Sequence, residues 1–265
     1  MLSLQGLKKT FNPGSINAKI ALNELSLELK PGDFVCIIGG NGAGKSTLLN
    51  SIAGAFSVDR GKIVIDGQNV ENQPEYARAS FIGRVFQDPM MGTAASMTIE
   101  ENLAMAVKRG HRRCLRRAIN SKDRVFFSEQ LSLLGLGLEN RLLTRVGLLS
   151  GGQRQALTLL MATLVPPKLL LLDEHIASLD PGTAQIVLDL TQKIVSKEKL
   201  TTLMVTHNME DALSIGNRTI MMHEGQIILD LTDKQRKNMS ITDLLDMFKN
   251  ASGVSMANDR MLLAN

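Results

Sequence analysis

An α/β fold is predicted for this chain of 265 residues, because short buried-strand patterns alternate with helical ones. Residues 33–38 form an apolar, β-branched run that leads into a glycine-rich stretch at 39–47, and a helical pattern follows directly. Two further apolar runs, at 169–172 and 203–206, are typical of buried parallel strands. The sequence therefore predicts a core built on a parallel sheet.

Composition is that of a globular protein with a sizeable core, at 44% hydrophobic residues. The formal charge of +4 and a pI near 9.1 are weak evidence for an anionic neighbour, such as a membrane surface or a nucleotide. Cys36 and Cys114 lack C-x-x-C spacing, which argues against a disulfide framework or a metal site and predicts a reducing compartment. No apolar window approaches a membrane span, and the N-terminus has no signal-peptide pattern, so the chain is not expected to cross a membrane by itself.

The glycine-rich stretch is a phosphate-binding pattern, G-x-x-x-x-G-K-[ST]. Glycines let successive backbone N–H groups approach a polyphosphate, and the helix expected from about Lys45 points its positive dipole end at the anion. Lys45 is expected to reach the β- and γ-phosphates, and the Ser46 hydroxyl to bind Mg²⁺. A glycine-rich connector without a ligand is the disfavoured alternative. The candidate residues of this phosphate loop are Gly39, Gly40, Asn41, Gly42, Ala43, Gly44, Lys45, Ser46 and Thr47.

Two candidate residues outside this loop, Phe11 and Gln87, each have two open interpretations. Residues 2–30 alternate apolar and polar positions, which predicts an N-terminal antiparallel β subdomain with a turn at 11–15. Phe11 either stacks on an adenine ring or packs the core and the turn. Gln87 follows the predicted strand at 82–86; it either senses Mg²⁺ and the attacking water, or is a surface glutamine before a turn.

A helical subdomain is predicted at about 90–165, inserted in the core, with Thr98 as an N-cap and Glu101 completing a capping box. The basic stretch 108–117 within it favours a solvated helix face, then an acidic partner or a lipid surface. Nucleic acid comes last and is not expected as a partner, because no aromatic residues interleave with these charges.

The motif Leu149-Ser150-Gly151-Gly152-Gln153 is rare by chance and opens a second apolar helix. Its hydroxyl, its N–H groups and the helix dipole are suited to a γ-phosphate. One nucleotide cannot easily use both this cap and the phosphate loop of the same chain unless the fold brings them together.

Two carboxylates end the apolar run at 169–172. Asp173 is expected to hold Mg²⁺, directly or through water, and Glu174 to orient and polarise the water that attacks the γ-phosphorus. Asp180, a candidate nucleotide-binding residue, ends a short turn before a helix that opens at Pro181. His207, at the tip of a later strand, is placed to contact a γ-phosphate, although a lone histidine is usually structural.

Taken in order, Phe11, the phosphate loop, Gln87, 149–153, 170–174, 178–180 and His207 resemble the ATP-binding subunits of ABC transporters over about residues 2–230. The resemblance implies a RecA-like P-loop NTPase core, ATP and Mg²⁺ as ligands, and two subunits packed head to tail. In that arrangement Lys45, Ser46, Gln87, Asp173, Glu174 and His207 act on one ATP, whereas Ser150, Gly151 and Gly152 act on the partner's. His175 departs from the family pattern, because proline is frequent at that position.

The leading hypothesis is the Mg²⁺-dependent ATPase subunit of a membrane importer, resembling a bacterial subgroup with an amino-acid-type permease. Expected partners are a second copy of the subunit, an integral-membrane permease and an extracytoplasmic substrate-binding protein, with the chain at the cytoplasmic face of the membrane. Residues 1–240 are predicted to form one ATPase domain, followed by a helix and tail at 241–265. The alternatives are a soluble single-cassette ATPase in an assembly pathway and a nonhydrolytic ATP switch, which the presence of Glu174 disfavours.

Overall fold

The computed structural model describes residues 1–111, 119–237 and 239–252. Its strands are β1 (Leu2–Phe11), β2 (Lys19–Leu29), β3 (Phe34–Gly39), β4 (Arg60–Ile65), β5 (Gln68–Asn69), β6 (Ile82–Val85), β7 (Leu169–Asp173), β8 (Thr201–Val205), β9 (Arg218–His223) and β10 (Gln226–Thr232). Its α-helices are α1 (Lys45–Ala53), α2 (Glu75–Arg78), α3 (Ile99–Val107), α4 (Ser121–Ser132), α5 (Gly151–Thr163), α6 (Pro181–Glu198), α7 (Met209–Ser214), α8 (Asp233–Arg236) and α9 (Ile241–Ser252). Short 3-10 helices lie at Leu138–Asn140 and Val146–Leu148.

The chain divides into two compact units. The first comprises Met1–Arg78 together with the chain from Leu200 onward, and the second comprises Ala79–Lys199. None of the helices in the described ranges is long and apolar enough to span a bilayer.

The antiparallel sheet of the first unit has the strand order β2-β1-β4-β5, as the alternation at 2–30 predicts. Leu22 and Leu25 are both buried although their spacing would place them on opposite faces of a regular strand. The β1–β2 register shifts between Leu7 and Lys9, opposite this spacing, and Glu24 has a φ of 52°. A bulge at Glu24 therefore keeps both leucines in the core.

The first unit also holds β3, the strand that leads into the phosphate loop, and its neighbours. β3 pairs in parallel with β8 and with β9, and β10 pairs antiparallel with β9. The sequence predicted a strand at 226–229, and this boundary is wrong because β10 continues to Thr232. Its polar residues concealed the extension: Asp230 lies against Arg218, with Nε to Oδ1 at 2.7 Å. The amphipathic helix predicted around Ile241 is α9, which buries Leu244 and Phe248.

The second unit combines a parallel strand pair, β6 and β7, with α3 to α6. The Thr98–Glu101 capping box is present as predicted. Of the basic stretch, residues 112–117 lie outside the described residues. Arg109 does not serve a solvated face, because its guanidinium donates to the carbonyls of Ala162, at 2.9 Å, and of Val165, beyond the end of α5.

Candidate functional site

The phosphate loop lies between β3 and α1 in the first unit and depends on glycine at two crowded positions. Gly39 has a φ of 150° and Gly44 a φ of 100°. A Cβ atom at Gly39 would lie 2.2 Å from the Met222 carbonyl oxygen, and one at Gly44 would lie 2.4 Å from the Ala21 carbonyl oxygen. These contacts are with backbone, which cannot move away cheaply. The glycines of the motif are thus required by the fold as well as by access for a phosphate.

Lys45 is buried, with 6% of its surface exposed, and its ammonium group lies inside the loop. Nζ donates to the carbonyl oxygens of Gly39 at 2.7 Å and Gly40 at 3.1 Å. A buried ammonium requires such partners because desolvation of a charge is costly. Ser46, the next residue, is exposed. The loop therefore holds a positive charge at fixed depth, with a hydroxyl accessible beside it.

His207 belongs to the same edge of the first unit. β3 and β8 are parallel, and Ile37 pairs with Val205, so the phosphate loop and His207 both follow the carboxyl ends of adjacent strands.

Phe11 lies at the end of β1 and meets Phe56 edge to face, with ring centroids 5.4 Å apart. Phe11 has 36% of its surface exposed, so it packs against Phe56 while part of its ring stays accessible.

In the second unit, Gln87 and the carboxylates follow neighbouring parallel strands. Val85 pairs with Leu172 in register, which places Gln87 and Glu174 each two residues beyond that pair. The loop at Gln87 is held from two sides. Gln155 Nε2 of α5 donates to the Phe86 carbonyl at 3.1 Å, and Ser178 Oγ donates to the Gln87 carbonyl at 3.3 Å.

Asp173 has a cationic neighbour that the sequence interpretation missed. Arg84 Nη2 lies 3.6 Å from Asp173 Oδ2, and the Arg84 guanidinium carbon lies 4.4 Å from the centre of the Phe86 ring. The sequence feature that could have predicted this pair is an arginine in an otherwise apolar strand, since a charge in that setting needs a partner. Glu174, directly after Asp173, has a φ of 46°, a left-handed conformation that is uncommon for a residue with a side chain.

His175 is buried and neutral. Its Nε2 lies 3.0 Å from the hydroxyl oxygen of Thr191 on α6. Burial lowers the pKa of His175 to about 4, because a charged imidazole is poorly solvated there. The sequence alone shows only that His175 stands at a position where the family frequently has proline.

The motif at 149–153, the signature motif, opens helix α5 as predicted, with Ser150 as the N-cap. Ser150 Oγ accepts from the Gln153 N–H at 3.2 Å, and Gln153 Oε1 accepts from the Ser150 N–H at 3.3 Å. The N–H groups of Gly151 and Gly152 belong to the first turn, where no helix carbonyl reaches them. Both N–H groups can therefore donate to an external anion.

Asp180 is the N-cap of α6, and its Oδ1 accepts from the Thr183 N–H at 3.0 Å. Hydrogen bonds from Thr183 hold the pKa of Asp180 below its usual value, so the carboxylate stays ionised. This capping role accounts for Asp180 structurally, and its nucleotide role stays a prediction.

Each unit presents oxygen donors of the kind that Mg²⁺ prefers, a hard cation that commonly takes one carboxylate together with substrate phosphates. The first unit has the Ser46 hydroxyl, and the second unit has the Asp173 carboxylate and the Gln87 amide. The glycine cradle and buried ammonium of the phosphate loop likewise suit a polyphosphate.

Comparison with known families decides the identification. The family model described as ABC transporter matches residues 22–177, more than half of the chain. The chain belongs to the ABC transporter family. It is an ATP-binding subunit of this family and a Mg²⁺-dependent ATPase.

Individual relatives agree with this assignment. A tyrosine transport ATP-binding protein of Clostridioides difficile is 43% identical over 95% of this chain and 100% of its own length. A phosphonates import ATP-binding protein of Cupriavidus metallidurans is 32% identical over 98% of this chain and 91% of its own length. A methionine import ATP-binding protein of Bartonella henselae is 34% identical over 86% of this chain and 64% of its own length.

Solved structures confirm the fold class, an α/β P-loop NTPase core with an antiparallel β subdomain and a helical signature subdomain. A dimeric ATP-binding cassette in a post-hydrolysis state, bound to ADP and Pi, superposes with a TM-score of 0.76 at 27% identity, covering 88% of this chain and 99% of that one. A second ATP-binding cassette, in its ADP conformation, superposes with a TM-score of 0.76 at 26% identity. The match covers 94% of this chain and 98% of that cassette. None of these relatives supports the alternative of a soluble assembly ATPase.

Proposed function

We propose that this ABC subunit energises an importer of an amino acid, working as a homodimer on a separate permease at the cytoplasmic face of the membrane. The observation that carries this proposal is the similarity to a tyrosine transport ATP-binding protein, at 43% identity over 95% of this chain. The methionine import relative supports the same substrate class at lower identity. An extracytoplasmic binding protein would deliver the amino acid to the permease.

Each residue has a role toward Mg-ATP in this proposal. Lys45 and the N–H groups of the phosphate loop bind the β- and γ-phosphates, and Phe11 contributes its accessible ring surface to the adenine. Ser46, Asp173 and Gln87 would hold Mg²⁺, which neutralises phosphate charge when bound. Glu174 orients and deprotonates the attacking water, and His207 donates to the γ-phosphate.

The signature residues act on the partner copy's nucleotide. The free first-turn N–H groups of Gly151 and Gly152, with the Ser150 hydroxyl and the helix dipole, form an anion-binding end for a γ-phosphate. Closure on ATP and reopening after hydrolysis would then drive the permease, through the Gln87 loop and the helical subdomain. The double anchoring of that loop by Gln155 and Ser178 supports a mechanical role.

The test is purification of the tagged full-length chain from its native membranes with ATP, followed by reconstitution of the recovered complex into liposomes. A polytopic permease should copurify, and labelled tyrosine should accumulate only with ATP and the binding protein. Excess unlabelled tyrosine should compete, whereas excess phosphonate should not. The same complex carrying Glu174→Gln is the matched control and should not accumulate label. Recovery of soluble proteins alone would overturn the transporter role, and uptake of phosphonate instead of amino acids would overturn the substrate class.

A further inference from the structure

His175 occupies the first residue after Glu174 and is fixed in the interior of the second unit, with 1% of its surface exposed. Glu174 itself is half-buried and has the left-handed φ of 46°. A left-handed residue with a side chain persists only where its surroundings hold it, because this conformation is sterically unfavourable. The structure must therefore contain groups that hold the backbone at this point.

The hydrogen bonds around His175 determine which ring nitrogen carries the proton. Thr191 Oγ1 donates its single proton to the Val187 carbonyl of the preceding helical turn, at 2.8 Å. The hydroxyl can then only accept from His175, so Nε2 is the donor across their 3.0 Å contact. The other ring nitrogen, Nδ1, is buried without a hydrogen-bond partner among the described residues. The imidazole is thus neutral, in one tautomer, and tied to α6 by a single directed bond.

This bond closes a short bridge across the segment that carries Glu174. On one side, Glu174 follows β7, and its carbonyl accepts from the Ala177 N–H at 3.0 Å. On the other side, the segment enters α6 at Asp180, which caps that helix. The His175–Thr191 bond fastens the start of this segment, directly after Glu174, to the third turn of α6. Rotation of the Glu174 peptide would move the imidazole out of its pocket and break the bond.

We infer that His175 is a positioning residue, which holds the Glu174 carboxylate in one orientation through its hydrogen bond to Thr191. The inference rests on the proposed function, because it assigns a purpose to the bond only if Glu174 is the base. A base held loosely loses rate rather than substrate affinity, since misplacement of about 1 Å can cost about a hundredfold in turnover. His175 touches neither ATP nor water in this role.

The experiment measures steady-state ATP hydrolysis by the purified full-length chain, with turnover expressed per nucleotide-binding-competent molecule. Thr191→Val keeps the shape of the side chain and removes the acceptor. Thr191→Ser keeps the acceptor and removes a methyl group, and is the matched control. We expect Thr191→Val to lower kcat about tenfold with KM for ATP changed less than twofold, and Thr191→Ser to retain kcat within about twofold. His175→Gln, whose amide N–H can replace Nε2–H, should keep more of the wild-type kcat than His175→Leu.

The outcomes separate this inference from the proposed function. If the wild-type chain hydrolyses ATP and the Glu174→Gln variant does not, Glu174 is established as the base independently of His175. With that in place, unchanged kcat in Thr191→Val would overturn the positioning role. Equal losses in Thr191→Val and Thr191→Ser, or a parallel rise in KM, would also overturn it, because general damage to α6 would explain them. If the Glu174→Gln variant instead hydrolyses ATP at the wild-type rate, the role of Glu174 as the base is overturned.

Discussion

Arg84 and Asp173 form an ion pair between neighbouring parallel strands, with Nη2 and Oδ2 separated by 3.6 Å. Both side chains are largely buried, so solvent screens the interaction less than at an open surface. Asp173 is the proposed carboxylate ligand of Mg²⁺. The structure therefore places a fixed positive charge beside a group that is to receive a divalent cation.

Replacement of Arg84 by Met should lower the Mg²⁺ concentration needed for half-maximal hydrolysis, because the competing cation is removed. Two unit charges about 4 Å apart repel by about 1 kcal/mol in bulk water, and a divalent ion beside a largely buried arginine is repelled more. The Mg²⁺ requirement should therefore fall at least about fivefold. Arg84→Lys retains the charge and should stay near the wild-type requirement. Magnesium titrations of all three chains at saturating ATP provide the measurement. A higher requirement in Arg84→Met would mean that Arg84 orients Asp173 rather than competing with the metal.

A mixing experiment tests whether the signature acts in trans. Lys45→Ala disables the phosphate loop, and Ser150→Arg disables the signature cap; each homodimer should be inactive. In a mixed dimer, the intact loop of the Ser150→Arg chain faces the intact signature of the Lys45→Ala chain. Equal mixing should then restore up to about one quarter of wild-type hydrolysis, because half of the dimers are mixed and each has one intact site. Failure of the mixture to exceed either variant alone would speak against a trans site, provided that crosslinking verifies the mixed dimer.

The packing of the signature helix yields a prediction about stability. A Cβ atom at Gly152 would lie 1.8 Å from Thr183 Cγ2, whereas one at Gly151 would lie 3.5 Å from its nearest neighbour, in Leu179. Gly152→Ala should therefore lower the free energy of unfolding by about 1–3 kcal/mol, and Gly151→Ala should change it by less than about 0.5 kcal/mol. Combining Gly152→Ala with Thr183→Ser, which deletes the offending methyl group, should recover most of the loss. Urea unfolding of the four chains measures this, and an unaffected Gly152→Ala would contradict the close contact.

Glu174→Gln should retain nucleotide binding and lose about 10²-fold or more in turnover, since an amide cannot accept the proton of the attacking water. Its free energy of unfolding should stay within about 0.5 kcal/mol of wild type, because glutamine meets the same backbone strain as glutamate. Single-turnover hydrolysis and binding of a fluorescent ATP analogue separate the two effects. Full turnover in this variant would remove Glu174 from the role of base.

Local chemistry explains what the sequence could predict. The Ser150–Gln153 and Thr98–Glu101 capping boxes each depend on residues three apart, and the structure contains both. The partners of Arg84 and His175 could not be predicted, because they come from segments distant in sequence: Asp173 lies on another strand and Thr191 nearly three turns inside α6. Strand pairing and helix packing decide such contacts, and periodicity does not reveal which elements become neighbours.

The same limit applies inside single strands. Alternation predicts β2 but not its bulge at Glu24, since a bulge depends on register with β1. Polar residues hid the last part of β10, where Asp230 is compatible with a strand because Arg218, diagonally across on β9, forms an ion pair with it. Composition describes average environments, whereas these residues owe their positions to one specific neighbour each.

Glycine substitutions can separate backbone strain from crowding in the phosphate loop. Gly44 and Gly14 both have positive φ, 100° and 80° respectively. A Cβ atom at Gly44 would lie 2.4 Å from the Ala21 carbonyl oxygen, but one at Gly14 would meet no atom within 4 Å. Gly14→Ala should therefore cost about 1–2 kcal/mol of stability from strain alone and leave ATP affinity unchanged. Gly44→Ala adds a backbone clash beside Lys45, so it should cost more stability than Gly14→Ala and weaken ATP binding at least about tenfold. Thermal unfolding and ATP titration measure the two effects, and equal behaviour of the variants would show that strain, not crowding, makes glycine necessary at Gly44.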